Sequence, residues 1–169
     1  ILQPGAQIDL MWKARLQEHI GTFQVEPIRS RSAMVMSNWQ ALSGLGAVTG
    51  MLRAFLPERE TNEPLFYATE QLLDLLEHPE VWSIAYLQWE LGLLKILGFG
   101  LDLSECAVTG QSHDLTFISP KTGRAVSRKG AGKWVNRLLP LLPVMLGKEP
   151  DSASDVAQAL DVCGHFFEN

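Results

Sequence analysis

The chain has 169 residues, of which 46% are apolar and 20% charged, with a net charge of −5. That length can bury one sizeable core, and the composition lies far from the disordered and collagen-like extremes. Lys95, Pro140 and Pro143 interrupt the apolar runs, so none reaches the roughly 18 to 20 residues of a bilayer span, which excludes a membrane protein. Ile1 to Leu10 has no secretory pattern and no starting Met, which points to a piece missing upstream. Cys106 and Cys163 are too few for a disulfide framework and predict two buried thiols in a reducing cytoplasm.

In chain order, Ile8, Leu10 and Trp12 alternate with Asp9, Met11 and Lys13, predicting a strand over 7–16. Alternation resumes over Thr22 to Glu26 and stops at Pro27, which makes the pair a hairpin. A lone hairpin cannot bury a face, so it needs partners that this chain does not obviously supply. From Ser37, Trp39, Leu42, Leu45, Leu52 and Phe55 recur at helical spacing up to Pro57. Gly44, Gly46, Gly50 and later Gly92 each lower helix propensity by about 1 kcal/mol, and close helix packing would explain their presence.

Pro64 opens a second helix running to Leu76, and 80–97 forms a third, apolar around most of its circumference and therefore expected at the centre of a bundle. Short alternating runs at 115–119 and 124–128 flank the turn tetrad Pro120 to Gly123 and predict a second, inserted hairpin. Residues 134–146 predict an apolar helix bent at its prolines. Asp151, Ser152 and Asp155 then predict the N-terminus of a last helix carrying Val156, Leu160, Val162 and Phe166. The sum is a mainly α protein with one hairpin in front and one inserted.

No arrangement in the sequence argues for an enzyme. Gly110-Gln111-Ser112-His113-Asp114 misses the nucleophile elbow at its second glycine, and neighbouring side chains of Ser112, His113 and Asp114 diverge rather than converge as a relay requires. Gly130-Ala131-Gly132-Lys133 has Ser127 where a phosphate loop has its first glycine and Trp134 where it has a hydroxyl residue, so a flexible basic loop is expected. His19, His78, His113 and His165 lack zinc-site spacing, and no carboxylate pair stands in an apolar surround.

The positive signal is charge. Leu115 to Lys148 holds Lys121, Arg124, Arg128, Lys129, Lys133, Arg137 and Lys148 without one Asp or Glu. Cations interleaved with glycines and Trp134 offer phosphate contacts beside a ring on which a base can stack. The same field attracts acidic proteins or peptides, and the spacing does not separate the two. Lys13 and Arg15, with Arg29 and Arg31 in the following linker, would extend such a track.

An ordered set of segments carries a resemblance over Ile1 to about Leu146. It comprises Leu2-Gln3-Pro4-Gly5, the strand through Trp12 to Arg15-Leu16, Leu56-Pro57-Glu58-Arg59, Trp89-Glu90-Leu91-Gly92-Leu93-Leu94, Gly98 to Cys106, Thr109-Gly110 and Ser119 to Val126. Together they resemble the RecO family of recombination mediators. The resemblance implies residues 1–27 as the last strands of an incomplete OB-fold barrel, and 28–169 as a helical domain with a hairpin inserted at about 103–130. That insertion is degenerate zinc-ribbon-like: Cys106-Ala107-Val108-Thr109 stands where zinc-bearing relatives have Cys-x-x-Cys, and the second pair is absent. One thiolate cannot hold structural zinc, so no metal is expected. The C-terminus likewise resembles a truncated family tail.

The resemblance further implies a non-enzymatic role in DNA repair and homologous recombination, without cofactor or small-molecule substrate, in the cytoplasm and at the nucleoid. It implies binding of single- and double-stranded DNA, annealing of complementary strands, and help to RecR and RecF in loading RecA onto DNA coated by single-strand binding protein (SSB). The DNA-contacting residues expected are Lys13, Arg15, Lys121, Arg124, Arg128, Lys129, Lys133 and Arg137. For the acidic SSB tail, Arg53, Phe55 and Arg59 have suitable chemistry. The rival expectations are a module that binds only acidic peptide tails and a hydrolase using Ser112 and His113.

Overall fold

A computed structural model describes residues 2–16, 19–58 and 60–168. The chain forms two compact units, Ile1–Asn62 with Thr69–Pro79, and Glu63–Ala68 with Glu80–Asn169.

In the first unit, β1 (Ala6–Lys13) and β2 (Thr22–Ser30) pair antiparallel. The strand does not stop at Pro27, as the sequence pattern predicts, but runs on to Ser30. The register shifts between Gln7 and Ile8, and Ile8 lies opposite Pro27, so the proline falls at an irregularity. A residue without an N–H is tolerated at such places. Leu10, Met11, Trp12 and Phe23 remain exposed.

The expected linker after the hairpin is instead a short helix, α1 (Arg31–Val35). Asn38 then caps α2 (Trp39–Phe55), its side-chain oxygen accepting the N–H groups of Gln40 and Ala41 at 3.1 and 3.2 Å. Ala41, Leu45 and Val48 are buried at i, i+4 and i+7, the spacing of one helix face. Gly5, at φ +75°, approaches Leu45 so closely that a Cβ there would collide with its Cδ1. The helical glycines behave differently from expectation: Gly44 is buried, but Gly46, Gly50 and Gly92 face open space where a Cβ would stand. Close packing therefore does not account for those three.

The helix α3 (Glu63–Asp74) begins in the second unit and ends in the first. Its later turns present Glu70 and Asp74 on one face, four residues apart, and between them they take up Arg31. That side chain is 3% exposed. Its Nη1 and Nη2 donate to the two oxygens of Glu70 at 3.0 Å each, and Nε and Nη2 donate to Asp74 Oδ1 at 3.2 and 2.8 Å. Arg29 reaches the same Asp74 oxygen at 2.7 Å.

In the second unit, α4 (Pro79–Ile96) buries Leu87, Trp89, Glu90, Leu93 and Leu94. The expected inserted hairpin is present as β3 (Leu115–Ile118) and β4 (Ala125–Ser127). The expected helix over 134–146 is not. The chain forms a four-residue helix, α5 (Arg128–Ala131), a 3-10 turn over Gly132–Arg137, then β5 (Leu139–Pro140), and a second 3-10 turn over Pro143–Leu146. Pro140 and Pro143 supply no N–H, and each pushes the residue before it out of the helical region; Leu142, at φ −91° and ψ 143°, is extended accordingly. The last helix, α6 (Ala153–Phe167), starts as the sequence predicts, with the Asp155 carboxylate accepting the N–H groups of Asp151 and Ser152 and the Ser152 hydroxyl.

Strand order is β4-β3-β5, with both outer strands antiparallel to β3. The connection from β4 to β5 therefore passes from one side of β3 to the other. One face of this small sheet, through Ile118 and Ala125, joins the main core with Leu87, Leu94, Val156 and Val162. The other, through Phe117 and Val126, joins a smaller cluster with Cys106, Ala131 and Leu138. Cys106 and Cys163 are both buried and unpaired. Burial and the neighbouring Glu90 push the Cys163 thiol up to about 12.

Candidate nucleic-acid interface

The β4-to-β5 crossover, residues 128–138, carries four of the eight sequence-predicted DNA contacts: Arg128, Lys129, Lys133 and Arg137. Its form follows from its apolar residues. Ala131 and Leu138 pack on Val126, Phe117 and Cys106, and the side chains between them are left outward, with Lys133, Trp134 and Arg137 exposed, as is Lys129 just before Ala131. Gly130 thus belongs to a helical turn, not to the flexible loop that the sequence suggests, and Gly132, at φ +47° and ψ −126°, marks the break between α5 and the 3-10 turn.

Trp134 is 50% exposed. Lys133 Nζ and the Arg137 guanidinium lie 5.3 and 5.2 Å from its ring centroid, within cation–π distance. An indole open on the surface and flanked by two cations can stack a base while the cations meet the adjoining phosphates.

The other expected cations divide into open and engaged. Lys121 is exposed in the turn between β3 and β4. Arg124 donates to Asp102 at 3.3 Å and to Glu105 at 3.2 Å, and Arg128 stands 4.0 Å from Asp114. The acid-free stretch read from the sequence is therefore part-neutralised by carboxylates just upstream of it. Asp102 is held below its ordinary carboxylate range chiefly by the Ser104 hydroxyl, with Arg124 adding to the effect. No ion pair is formed by Lys121, Lys129, Lys133 or Arg137 among the described residues.

Lys13 ends β1 and Arg15 follows it, both exposed in the first unit. Arg29 and Arg31 do not extend a phosphate track, because Glu70 and Asp74 already hold them. Of the expected peptide-binding residues, Arg53 is exposed in the last turn of α2, Phe55 is half-buried at its end, and Arg59 lies outside the described residues. Asp114, at φ 56°, turns its carboxylate toward Arg128, while Ser112 and His113 are exposed beside it.

A feature the sequence reading did not single out is a cavity of about 310 Å³ lined by Leu91, Lys95, Leu101, Leu103, Met145 and Leu146. Lys95 is the one cation of α4, and that isolation in an apolar helix was its visible signal. Among the described residues, no cluster of three or more His, Cys, Asp or Glu is placed to hold a metal, and no helix is long and apolar enough to cross a membrane.

A family model described as recombination protein O C terminal matches residues 36–169. The chain is 55% identical, over 99% of its length and 69% of the relative's, to a DNA repair protein RecO of Roseobacter denitrificans. It is 51% identical to the protein of that name in a Ruegeria species, over 99% of the chain and 70% of the relative, and 50% identical to that of Paracoccus denitrificans, over 99% and 68%. A match that runs through the helical body, the inserted hairpin and the crossover alike makes this chain a member of the RecO family.

Proposed function

We propose that this protein acts in DNA repair and recombination as a non-enzymatic mediator whose crossover segment grips single-stranded DNA. The observation that carries the reading is Trp134, half-exposed between Lys133 and Arg137, beside Lys129 and with none of the three cations taken by a carboxylate of the described residues. Lys121 is a further exposed cation of the second unit for phosphate contact, and in the first unit Lys13 and Arg15 are candidates of the same kind. Double-stranded DNA is held through the same backbone charge, which is indifferent to sequence. Arg124 and Arg128 contribute less, since their carboxylate partners compete with phosphate.

Within that role, two complementary strands held through their backbones leave base edges free to anneal, and delivery of RecA to SSB-coated strands together with RecR and RecF is the wider activity. We read residues 1–27 as the closing strands of an OB-fold and 28–169 as the helical domain. The exposed apolar side chains of the β1–β2 ribbon support the first reading. The turn over Cys106 to Thr109 supports a zinc-ribbon-like insertion that has lost its metal. Place of action is the cytoplasm, at the nucleoid.

The acidic tail of SSB is the expected protein partner. Arg53 and Phe55, with Arg59, have the chemistry for it. The cavity beside Lys95 favours a second location, because it joins apolar walls to an exposed cation and so suits an acidic peptide with an apolar end.

Anisotropy of labelled oligothymidylate, beside that of a labelled acidic peptide, tests the reading. The oligonucleotide binds with a strong salt dependence, near −0.7 in log K per phosphate neutralised. Replacing Lys129, Lys133 and Arg137 together by Ala lowers affinity about 100-fold and reduces the slope by about 2. Binding of the peptide alone transfers the case to the rival module for acidic tails, and an unchanged triple variant removes the crossover from the interface.

A further inference from the structure

The basic crossover is anchored at the residue just before it by an unusual acceptor. Ser127, 1% exposed, ends β4 and caps α5, its hydroxyl oxygen accepting the Gly130 N–H at 3.1 Å. The same hydroxyl, and the Ser127 N–H, both donate to Cys106 Sγ, at 3.3 and 3.2 Å. Thr109 N–H donates to that sulfur at 3.4 Å. Cys106 is in turn fixed by its own backbone, donating to Gln111 O and accepting from Gly110 N–H, each at 2.8 Å. Gly130 comes so near that a Cβ on it would stand 2.9 Å from the sulfur. One buried atom thus joins the turn over 106–110, the end of β4 and the first turn of the crossover.

We propose that Ser127 and Cys106 are positioning residues for polyanion binding: their hydrogen-bond chain fixes how the crossover leaves the sheet, so that Lys129, Lys133 and Arg137 meet the phosphates together. The proposal rests on the reading of the crossover as the DNA-binding segment. Chemistry supports the strength of the anchor. Burial pushes the Cys106 thiol up, but the donors from Ser127 and Thr109 outweigh it and bring it down to about 6. A sulfur that accepts three hydrogen bonds inside the fold holds its donors, Ser127 and Thr109, in one arrangement. Ser127→Ala deletes the link to the sulfur and the cap on α5 in one step, while leaving every cation in place.

The salt slope separates positioning from mere structural support. A variant that is only less stable shows a smaller active fraction with an unchanged slope, whereas cations that no longer act together neutralise fewer phosphates. Oligothymidylate affinity against salt is measured for the wild-type protein, for Ser127→Ala, and for Cys106→Ala beside Cys106→Ser, below the melting range of each. Ser127→Ala and Cys106→Ala are expected to lose about ten-fold in affinity and about one contact, 0.7, in slope. Cys106→Ser, which keeps an acceptor, recovers most of both. Should Ser127→Ala not fold, the two Cys106 variants decide alone. Wild-type slope in both alanine variants, with the triple cation variant impaired, overturns the positioning role but leaves the DNA reading intact. Absence of salt-dependent binding by the wild type overturns the DNA reading itself, and the positioning role with it.

Discussion

Arg31 and the crossover cations look alike in sequence, as basic residues among small and apolar neighbours, yet they occupy opposite physical states. Arg31 is buried, and three of its nitrogens are spent on Glu70 and Asp74. Lys129, Lys133 and Arg137 stand in solvent with no carboxylate partner among the described residues. A cation that has satisfied its field inside the fold contributes to structure and is lost to ligands. One left unsatisfied contributes little to stability and remains available, so the two groups should respond oppositely to the same substitution.

The largest contrast is expected from Arg31→Ala. Removing the central cation leaves Glu70 without that partner and Asp74 with Arg29, and because both carboxylates are part-exposed the loss falls below that of a fully buried pair, at about 2–3 kcal/mol. Chemical denaturation should report that loss, whereas the triple crossover variant should stay within about 0.5 kcal/mol of wild type. A small effect at Arg31 would erase the distinction.

Acid supplies a smaller and more graded test. The hydrogen bond from Arg31 is the main cause holding the Asp74 carboxyl below its ordinary range, against the opposing effect of burial. The unfolded chain therefore takes up this proton first as pH falls. The contribution is complete above the ordinary carboxylate range and disappears as pH drops through the lower native value. Asp74 is about half exposed, so the amount is about 0.5–1 kcal/mol. Denaturation midpoints of Asp74→Asn against wild type should converge in acid below the lowered native value and diverge at neutrality.

The finest division lies within the hairpin and crossover themselves. Replacing Arg124 and Arg128 together by Gln should change oligonucleotide affinity less than about three-fold, because the charges of Asp102, Glu105 and Asp114 beside them offset the positive field that a phosphate meets. A loss equal to that of the triple variant would mean that phosphate displaces those carboxylates freely, and that pairing does not grade the cations.

What could be read beforehand followed local rules. Apolar spacing placed α2, α3, α4 and α6, the Ser152–Asp155 box placed the start of the last helix, and the Pro120 to Gly123 tetrad placed the inserted hairpin. What escaped depended on distant partners. Strand β2 passes Pro27 because its neighbour shifts register there, and Leu139–Pro140 becomes a strand only because β3 offers an edge. Gly46 and Gly50 were read as packing devices, but packing is settled by what lies opposite, and nothing does. The candidate site was half legible. The basic residues were visible, but their division into engaged and open depended on Asp102, Glu105 and Asp114, which the chain brings back from outside the acid-free stretch.

Pro140 has a consequence for how copies of this protein behave side by side. Leu141 turns its N–H inward to Thr116 O at 2.9 Å. Since donors alternate sides along a strand, the outward donor on this rim would belong to position 140, and proline has none. At high local concentration, exposed rims of short sheets are where one chain could pair with another. A rim lacking its outward donor is a poor template for that growth.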